Sequence, residues 1–209
     1  MIEVQDWGLI DYQAAWDKQK ELVNIVQRDR MPGFLVLCEH PSVITIGKSG
    51  TKNNILFKPD FLNSVGVQVI ENDRGGDVTL HNPGQLVGYP IFNLSAFKED
   101  LHWFLREIEE SIIELIKTYN LTGGRVSGLT GVWIEEKRKI AAMGLHCSRW
   151  VSSHGFALNA NNDLSQFDYI IPCGIVGKAV CSIESETGQK IDFDELKSRC
   201  IDILKARFK

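Results

Sequence analysis

Apolar positions along the chain recur with two periods, and each period marks a different kind of element. Leu101, Phe104, Leu105, Ile108, Ile112, Leu115 and Ile116 fall at three- and four-residue steps, which predicts an amphipathic helix over residues 99–118, ended by Gly123-Gly124. Trp16, Leu22, Val23 and Val26 predict an earlier helix over residues 12–28, and Asp192 with Glu195 resembles a capping box opening a last helix to Ala206. β-Branched and aromatic runs dominate elsewhere. Gly33-Phe34-Leu35-Val36-Leu37 and Val43-Ile44-Thr45-Ile46-Gly47 predict two adjacent strands around the turn Glu39-His40-Pro41-Ser42. Val67 to Ile70, Asp77 to Leu80 and Gln85 to Asn93 continue the pattern, with Asn82-Pro83-Gly84 as a turn signal. Gly131-Val132-Trp133-Ile134 and Lys139-Ile140-Ala141-Ala142-Met143-Gly144 predict a hairpin around Glu135-Glu136-Lys137-Arg138, with Lys137 and Arg138 facing water and strands running on to about residue 160.

Strand clusters broken by a few separated helices predict an α/β (α+β) sandwich with a mixed central β-sheet flanked by helices, not a strict βαβ alternation. No interdomain linker is visible, so residues 1–209 read as a single domain; the polar Glu184-Ser185-Glu186-Thr187-Gly188 reads as a loop and allows a small C-terminal subdomain from about Val180. A length of 209 residues, with 44% hydrophobic and 24% charged residues, suits one soluble unit with a sizeable core. The net charge of -4 argues against general nucleic-acid binding, which needs a basic face to displace counterions. Met1-Ile2-Glu3-Val4 is no secretory signal and no apolar run approaches a membrane span, so a cytoplasmic protein is expected.

Five cysteines, an odd number at irregular spacing with no Cys-x-x-Cys, read as reduced thiols and not as a disulfide framework or zinc knuckle. Cys38, Cys147, Cys181 and Cys200 sit in strand-like or helical text and read as small core residues. Cys173, in Pro172-Cys173-Gly174-Ile175, lies between a rigid and a permissive residue, the setting of a nucleophile on a bend. A lysine beside it would favour the thiolate, the form that attacks acyl groups. Lys139 is the candidate, opening a small apolar strand where partial burial would favour a neutral amine, although a lysine at a strand start is commonly a surface residue.

The stretch from Arg74 to Leu86 packs three glycines, an arginine and a histidine together, so that backbone N–H groups are available to a carbonyl oxygen or phosphate; a tight hairpin is the alternative. Gly174-Ile175-Val176-Gly177-Lys178 has the wrong spacing for a phosphate loop, and no Gly-x-Gly-x-x-Gly follows a strand. His81 and His154 read either as proton-transfer groups or as structural hydrogen-bonders. His40, His81, His146 and His154 lack ligand spacing, so no metal is expected.

Taken together, Arg74-Gly75-Gly76-Asp77-Val78-Thr79-Leu80-His81-Asn82-Pro83-Gly84-Gln85-Leu86-Val87, Gly131-Val132-Trp133, Lys139-Ile140-Ala141-Ala142, His154-Gly155-Phe156-Ala157-Leu158-Asn159 and Pro172-Cys173-Gly174-Ile175 resemble the lipoyl(octanoyl) transferases of lipoate biosynthesis, over the span from Glu39 to about Ser182. Asn82 departs from the pattern, where that family usually has glycine. The resemblance implies the biotin/lipoate protein ligase catalytic fold and transfer of an octanoyl group from acyl carrier protein to a lysine of a lipoyl domain. The acceptors it implies are 2-oxoacid dehydrogenase E2 subunits and the glycine cleavage H protein, served by a monomer without ATP or other cofactor. It also implies that Cys173 carries the acyl chain as a thioester, that Lys139 activates the thiol and moves protons, and that residues 74–81, Ala142, Met143, Gly144, Gly155, Phe156 and Ala157 line the acyl site, with His154 assisting.

On that reading Val78, Leu80, Ala142, Met143, Phe156 and Leu158 wall an apolar tunnel, and backbone N–H groups around Gly75-Gly76 or Gly144 stabilise the tetrahedral intermediate. Two competing readings are an ATP-dependent lipoate or biotin ligase, which needs no catalytic cysteine, and a non-catalytic acyl-binding adaptor. Acidic carrier partners would dock through Lys137, Arg138 and Arg149, or through Lys48 and Lys52.

Overall fold

The computed structural model describes residues 1–171 and 179–209; Cys173 and the rest of Pro172-Cys173-Gly174-Ile175 lie outside the described residues. The chain runs β1 (Glu3–Leu9), α1 (Tyr12–Asp29), β2 (Gly33–Glu39), β3 (Val43–Ile46), α2 (Pro59–Ser64), β4 (Gln68–Glu71), β5 (Val78–His81) and β6 (Gln85–Phe92). It continues through α3 (Leu101–Lys117), β7 (Gly123–Val126), β8 (Leu129–Ile134), β9 (Arg138–Ser148), β10 (Val151–Asn159), β11 (Ala179–Val180), α4 (Ile183–Thr187) and α5 (Phe193–Arg207).

Among the described residues one mixed sheet has the order β1-β2-β6-β10-β9-β8-β7, and a smaller sheet has the order β4-β3-β5. β1 joins β2 in parallel and β11 joins β9 in parallel, whereas β2, β6, β10, β9, β8 and β7 pair antiparallel in turn. Alternation along β10 sends Phe156 and Leu158 into the core shared with α3 and α5, and Val151 and Ala157 into the core under α1. A third core lies between the small sheet and the short helical turn at residues 164–169. This is the mixed α/β architecture that the strand clusters predict.

Both turn signals in the first half are corners, not hairpins. β2 belongs to the large sheet and β3 to the small one, and likewise β5 and β6 part company across Asn82-Pro83-Gly84. The strands predicted as adjacent around residues 39–42 therefore do not pair with each other. A hydrogen bond ties the two corners together, Gly84 donating its N–H to Glu39 Oε2 at 2.6 Å. Gly84 has φ +87°, and a Cβ there would come within 2.8 Å of the Asn161 carbonyl carbon, so the corner needs glycine.

Four other expectations change. α3 ends at Lys117 with Thr118 as its cap, and Gly123-Gly124 opens strand β7, because a Cβ at Gly123 would lie 2.4 Å from Ile116 Cδ1 where strand and helix meet. Residues 184–187 belong to α4 and not to a loop, with a capping box between Ser182 and Ser185 and Gly188 closing the helix at φ +71°. Asp192 does cap α5, accepting from Asp194 and Glu195 N–H, but the Glu195 carboxylate pairs with Arg199 in place of reaching back. Arg138, expected to face water, is half-buried in a two-pronged pair with Glu186 at 2.8 and 3.0 Å and also bonds Glu135. Replacing Gly84 with alanine is expected to destabilise the protein by about 3 kcal/mol, through left-handed strain and overpacking, read as a lower urea midpoint at unchanged m-value.

Candidate active site

The glycine-rich segment before β5 is held as a bridge between the two sheets. Arg74 is buried, and its guanidinium donates to the Thr45 carbonyl at 2.7 Å, the Gly75 carbonyl at 3.0 Å and the Asp77 carbonyl at 2.7 Å. On the other side the Gly75 N–H donates to the Leu145 carbonyl of β9 at 2.9 Å. Gly47 and Gly144 flank the segment, where Cβ atoms would come to 2.4 Å from the Gly76 oxygen and 2.7 Å from the Gly75 oxygen. The Gly75 N–H is thus engaged in the fold, which removes it from the expected oxyanion donors. The Asp77 carboxylate is also engaged, accepting from Asn54 Nδ2 at 2.5 Å and Thr51 N–H at 3.3 Å.

A narrow cavity opens between β5 on one side and β9 and β10 on the other. The structure gathers Arg74, Gly76, Asp77, Val78, Thr79, His81, Ala142, Met143, Gly144, His154, Gly155, Phe156 and Ala157 around it. Leu80 points instead into the core of the small sheet, and Gly75 faces a wider neighbouring cavity of about 420 Å³. Tyr12, Val87 and Tyr89 complete the lining; Tyr12 and Tyr89 carried no local signal in the sequence, and Val87 stands only at the end of the Arg74–Val87 motif. Their relation to the site arises only when α1 and β6 pack beside β5.

His81 is held as one neutral tautomer. Gln85 donates its Nε2 to the Leu80 carbonyl at 3.1 Å and to Asn159 Oδ1 at 2.9 Å, so its Oε1 is the atom that faces His81 Nδ1 at 2.8 Å. The Nδ1 atom therefore carries the proton and Nε2 is the acceptor. Burial pushes the His81 pKa down to about 3, helped by His40 nearby. His40 is fixed in the same way: its Nδ1 donates to the Ile10 carbonyl at 2.7 Å, and Tyr89 donates its hydroxyl to Nε2 at 2.6 Å. Burial lowers its pKa too.

His154 lies far from Lys139. Its Nε2 meets Asp73 Oδ1 at 2.7 Å, and that hydrogen bond pulls the Asp73 carboxyl down to about 2. His154 itself is lowered, burial outweighing the carboxylate. It sits at φ +55° opposite Leu145, six positions along β9 from Lys139 and so roughly 20 Å away at ~3.3 Å per residue. The structure therefore does not bring His154 to Lys139.

Lys139 is 8% exposed, and its Nζ lies 4.6 Å from the centroid of the Trp133 ring. It lines the wider cavity together with Gly75, Gly76, Ala142 and Met143, and Ala142 and Met143 also line the narrow one. The described chain resumes at Ala179 opposite Arg138, with Val180 opposite Lys139 and the Cys181 N–H donating to the Lys139 carbonyl at 3.0 Å. Residues 179–181 therefore run alongside the Arg138-Lys139 end of β9. Burial raises the thiols of Cys38, Cys147, Cys181 and Cys200, the last two to about 12, which makes them poor nucleophiles. Among the described residues no cluster of three or more His, Cys, Asp or Glu is arranged to hold a metal, and no helix is long and apolar enough to cross a membrane.

Known proteins resemble this chain in family, sequence and fold. Residues 11–205 match the lipoyl protein ligase A/B catalytic domain. An octanoyltransferase of Cytophaga hutchinsonii is 47% identical over 98% of this chain and 91% of its own length. One from Flavobacterium psychrophilum is 45% identical over 96% and 93%. In fold, the chain is similar to the bipartite lipoate protein ligase of Thermoplasma acidophilum, with a TM-score of 0.72 at 14% identity over 98% of this chain and 82% of that one.

The buried imidazoles predict a pH dependence of stability. With the folded His81 pKa near 3 and the unfolded value near 6.5, the unfolded chain binds the extra proton, so stability is full above about pH 6.5 and falls as pH drops towards 3. His40 and His154 act in the same direction. Urea midpoints measured from pH 7 to 4 are expected to decline, and His81→Phe should flatten the slope in that window.

Proposed function

The chain belongs to the lipoyl protein ligase A/B catalytic domain family, and we propose that it is an octanoyltransferase of lipoate biosynthesis. The observation that carries this reading is near-full-length identity of 47% to an octanoyltransferase. On it, residues 1–209 act as one catalytic domain that takes an octanoyl group from acyl carrier protein and gives it to a lysine of a lipoyl domain, on an E2 subunit or H protein. The free thiols of the four described cysteines suit a reducing, cytoplasmic setting.

The reaction is two acyl exchanges. The Cys173 thiolate attacks the thioester carbonyl of the donor, and the tetrahedral intermediate expels the carrier thiolate, which takes a proton from the Lys139 ammonium. The neutral amine of the target lysine then attacks the Cys173 thioester, Cys173 leaves as thiolate, and the proton lost by the new amide nitrogen passes to the Lys139 amine. Bonds and charges balance without a nucleotide, since the donor is already activated. The return of the chain at Val180 to the side of Lys139 supports this pairing, and the narrow cavity suits a slim, unbranched tail.

Lys139→Ala is expected to slow transfer by ~10²–10⁴-fold, the usual contribution of a positioned acid-base group. Intact mass after mixing with octanoyl-acyl carrier protein and no ATP should show one added octanoyl group, absent in Cys173→Ala. Strict dependence on ATP would favour a ligase, and no adduct in the wild type would favour a binding adaptor. Docking follows the exposed cations. Arg138 is committed to Glu186 and Lys52 pairs with Glu71 at 2.7 Å, which leaves the exposed Lys48, Lys137 and Arg149 to meet an acidic carrier. Lys48→Glu with Lys137→Glu should raise the KM for the carrier at low salt, an effect that fades as salt screens it.

A further inference from the structure

β8 and β9 change register next to Lys139. Val132 pairs with Ala141 but Trp133 pairs with Lys139, so β9 spends an extra residue, Ile140, on a bulge. Ile140 and its neighbour Ala141 both enter the core shared with α3. Without the bulge, alternation would put Lys139 on the same face as Ala141. With it, Lys139 joins Ala142 on the cavity side, and both line the same wider cavity.

The stem of Lys139 then lies over Gly131 of β8. Gly131 has φ +126°, and a Cβ there would come within 2.7 Å of the Ala141 oxygen and 3.2 Å of Lys139 Cε. The backbone of Gly131 is held from α3. Glu109, fully buried, accepts the Gly131 N–H on Oε1 at 2.9 Å, while its Oε2 accepts from Arg106 at 2.6 Å and Arg125 at 2.9 Å. A carboxylate with no solvent exposure is costly unless fully satisfied, and here two guanidinium groups and one backbone N–H satisfy it.

We propose that Glu109, acting through Gly131, is a positioning residue that aims Lys139 into the cavity. The inference rests on the reading of Lys139 as the partner of Cys173. Glu109 does not touch the reacting atoms; it fixes the backbone against which the lysine stem is laid.

The test is the pH midpoint of Cys173 alkylation by iodoacetamide, followed by peptide mass, since an ammonium nearby favours the thiolate. Lys139→Ala is expected to raise the midpoint by ~1 unit or more. Glu109→Leu and Gly131→Ala should each move it most of the way to the Lys139→Ala value. Glu109→Gln keeps an oxygen able to accept the Gly131 N–H and should recover at least half the shift. Arg207→Met, which removes the ion pairs from α5 to Glu107 and Glu114 of α3, is the control for lost stability and should leave the midpoint in place. If Glu109→Leu does not fold, Gly131→Ala decides.

Wild-type midpoints in the Glu109 and Gly131 variants, with Lys139→Ala shifted, overturn the positioning role and leave the dyad standing. An equal shift in Arg207→Met, or the failure of both Glu109→Leu and Gly131→Ala to fold, reduces the contact to ordinary structure and also overturns it. A wild-type midpoint in Lys139→Ala would instead remove the dyad itself.

Discussion

The architecture depends on the seam made by Arg74. Its guanidinium gathers carbonyl oxygens from β3 and from its own loop, while the Gly75 N–H next to it bonds β9 of the other sheet. Charge-assisted hydrogen bonds of this kind contribute about 1.5–3 kcal/mol each, and buried carbonyls left without them would cost a comparable amount. The seam also needs bare backbone on both flanks, which Gly47 and Gly144 provide. The narrow cavity exists because two sheets are held apart by this stitched loop and not collapsed onto each other.

That arrangement explains which sequence signals were readable. Periodicity located α1 and α3 closely, because a helix packed on a sheet must keep one apolar face, and the Asp192 cap located α5. The corners at residues 39–42 and 82–84 were readable as turns but not as changes of sheet, since hairpins and corners use the same turn residues. What distinguishes them is the Glu39 to Gly84 hydrogen bond, which joins residues far apart in the chain. Gly123-Gly124 misled for a related reason: glycine after a helix usually signals its end, but here it makes room for Ile116.

The site was legible as a set of segments and less so as an arrangement. The resemblance placed residues 74–81, 142–144 and 155–157 together, and most of them meet around one cavity. Tyr12 and Tyr89 escaped notice, and His40 drew attention only for its lack of ligand spacing, because the hydrogen bonds and ring contacts of all three are tertiary. Lys139 is the subtler case. Ile140-Ala141 reads as any apolar strand, and nothing local says that both side chains enter one core, yet that bulge sets the face on which Lys139 emerges. Residue type named the lysine; strand register gave it a direction.

Under the proposed reaction the two cavities divide the work between holding the tail and transferring it. The narrow one holds His81 as a neutral ring whose tautomer is set by Gln85, so no ionisation of His81 occurs there between about pH 5 and 8. A saturated tail bound in it would gain roughly 0.8 kcal/mol for each buried methylene, whatever the pH. Lys139 stands in the wider cavity, next to where the chain returns after Cys173. Under the proposed reaction the tail lies in the narrow cavity and Lys139 acts from the wider one, with Ala142 and Met143 lining both. Acyl binding and acyl transfer then answer to different groups, so pH acts on the chemistry while the binding energy of the tail stays nearly constant.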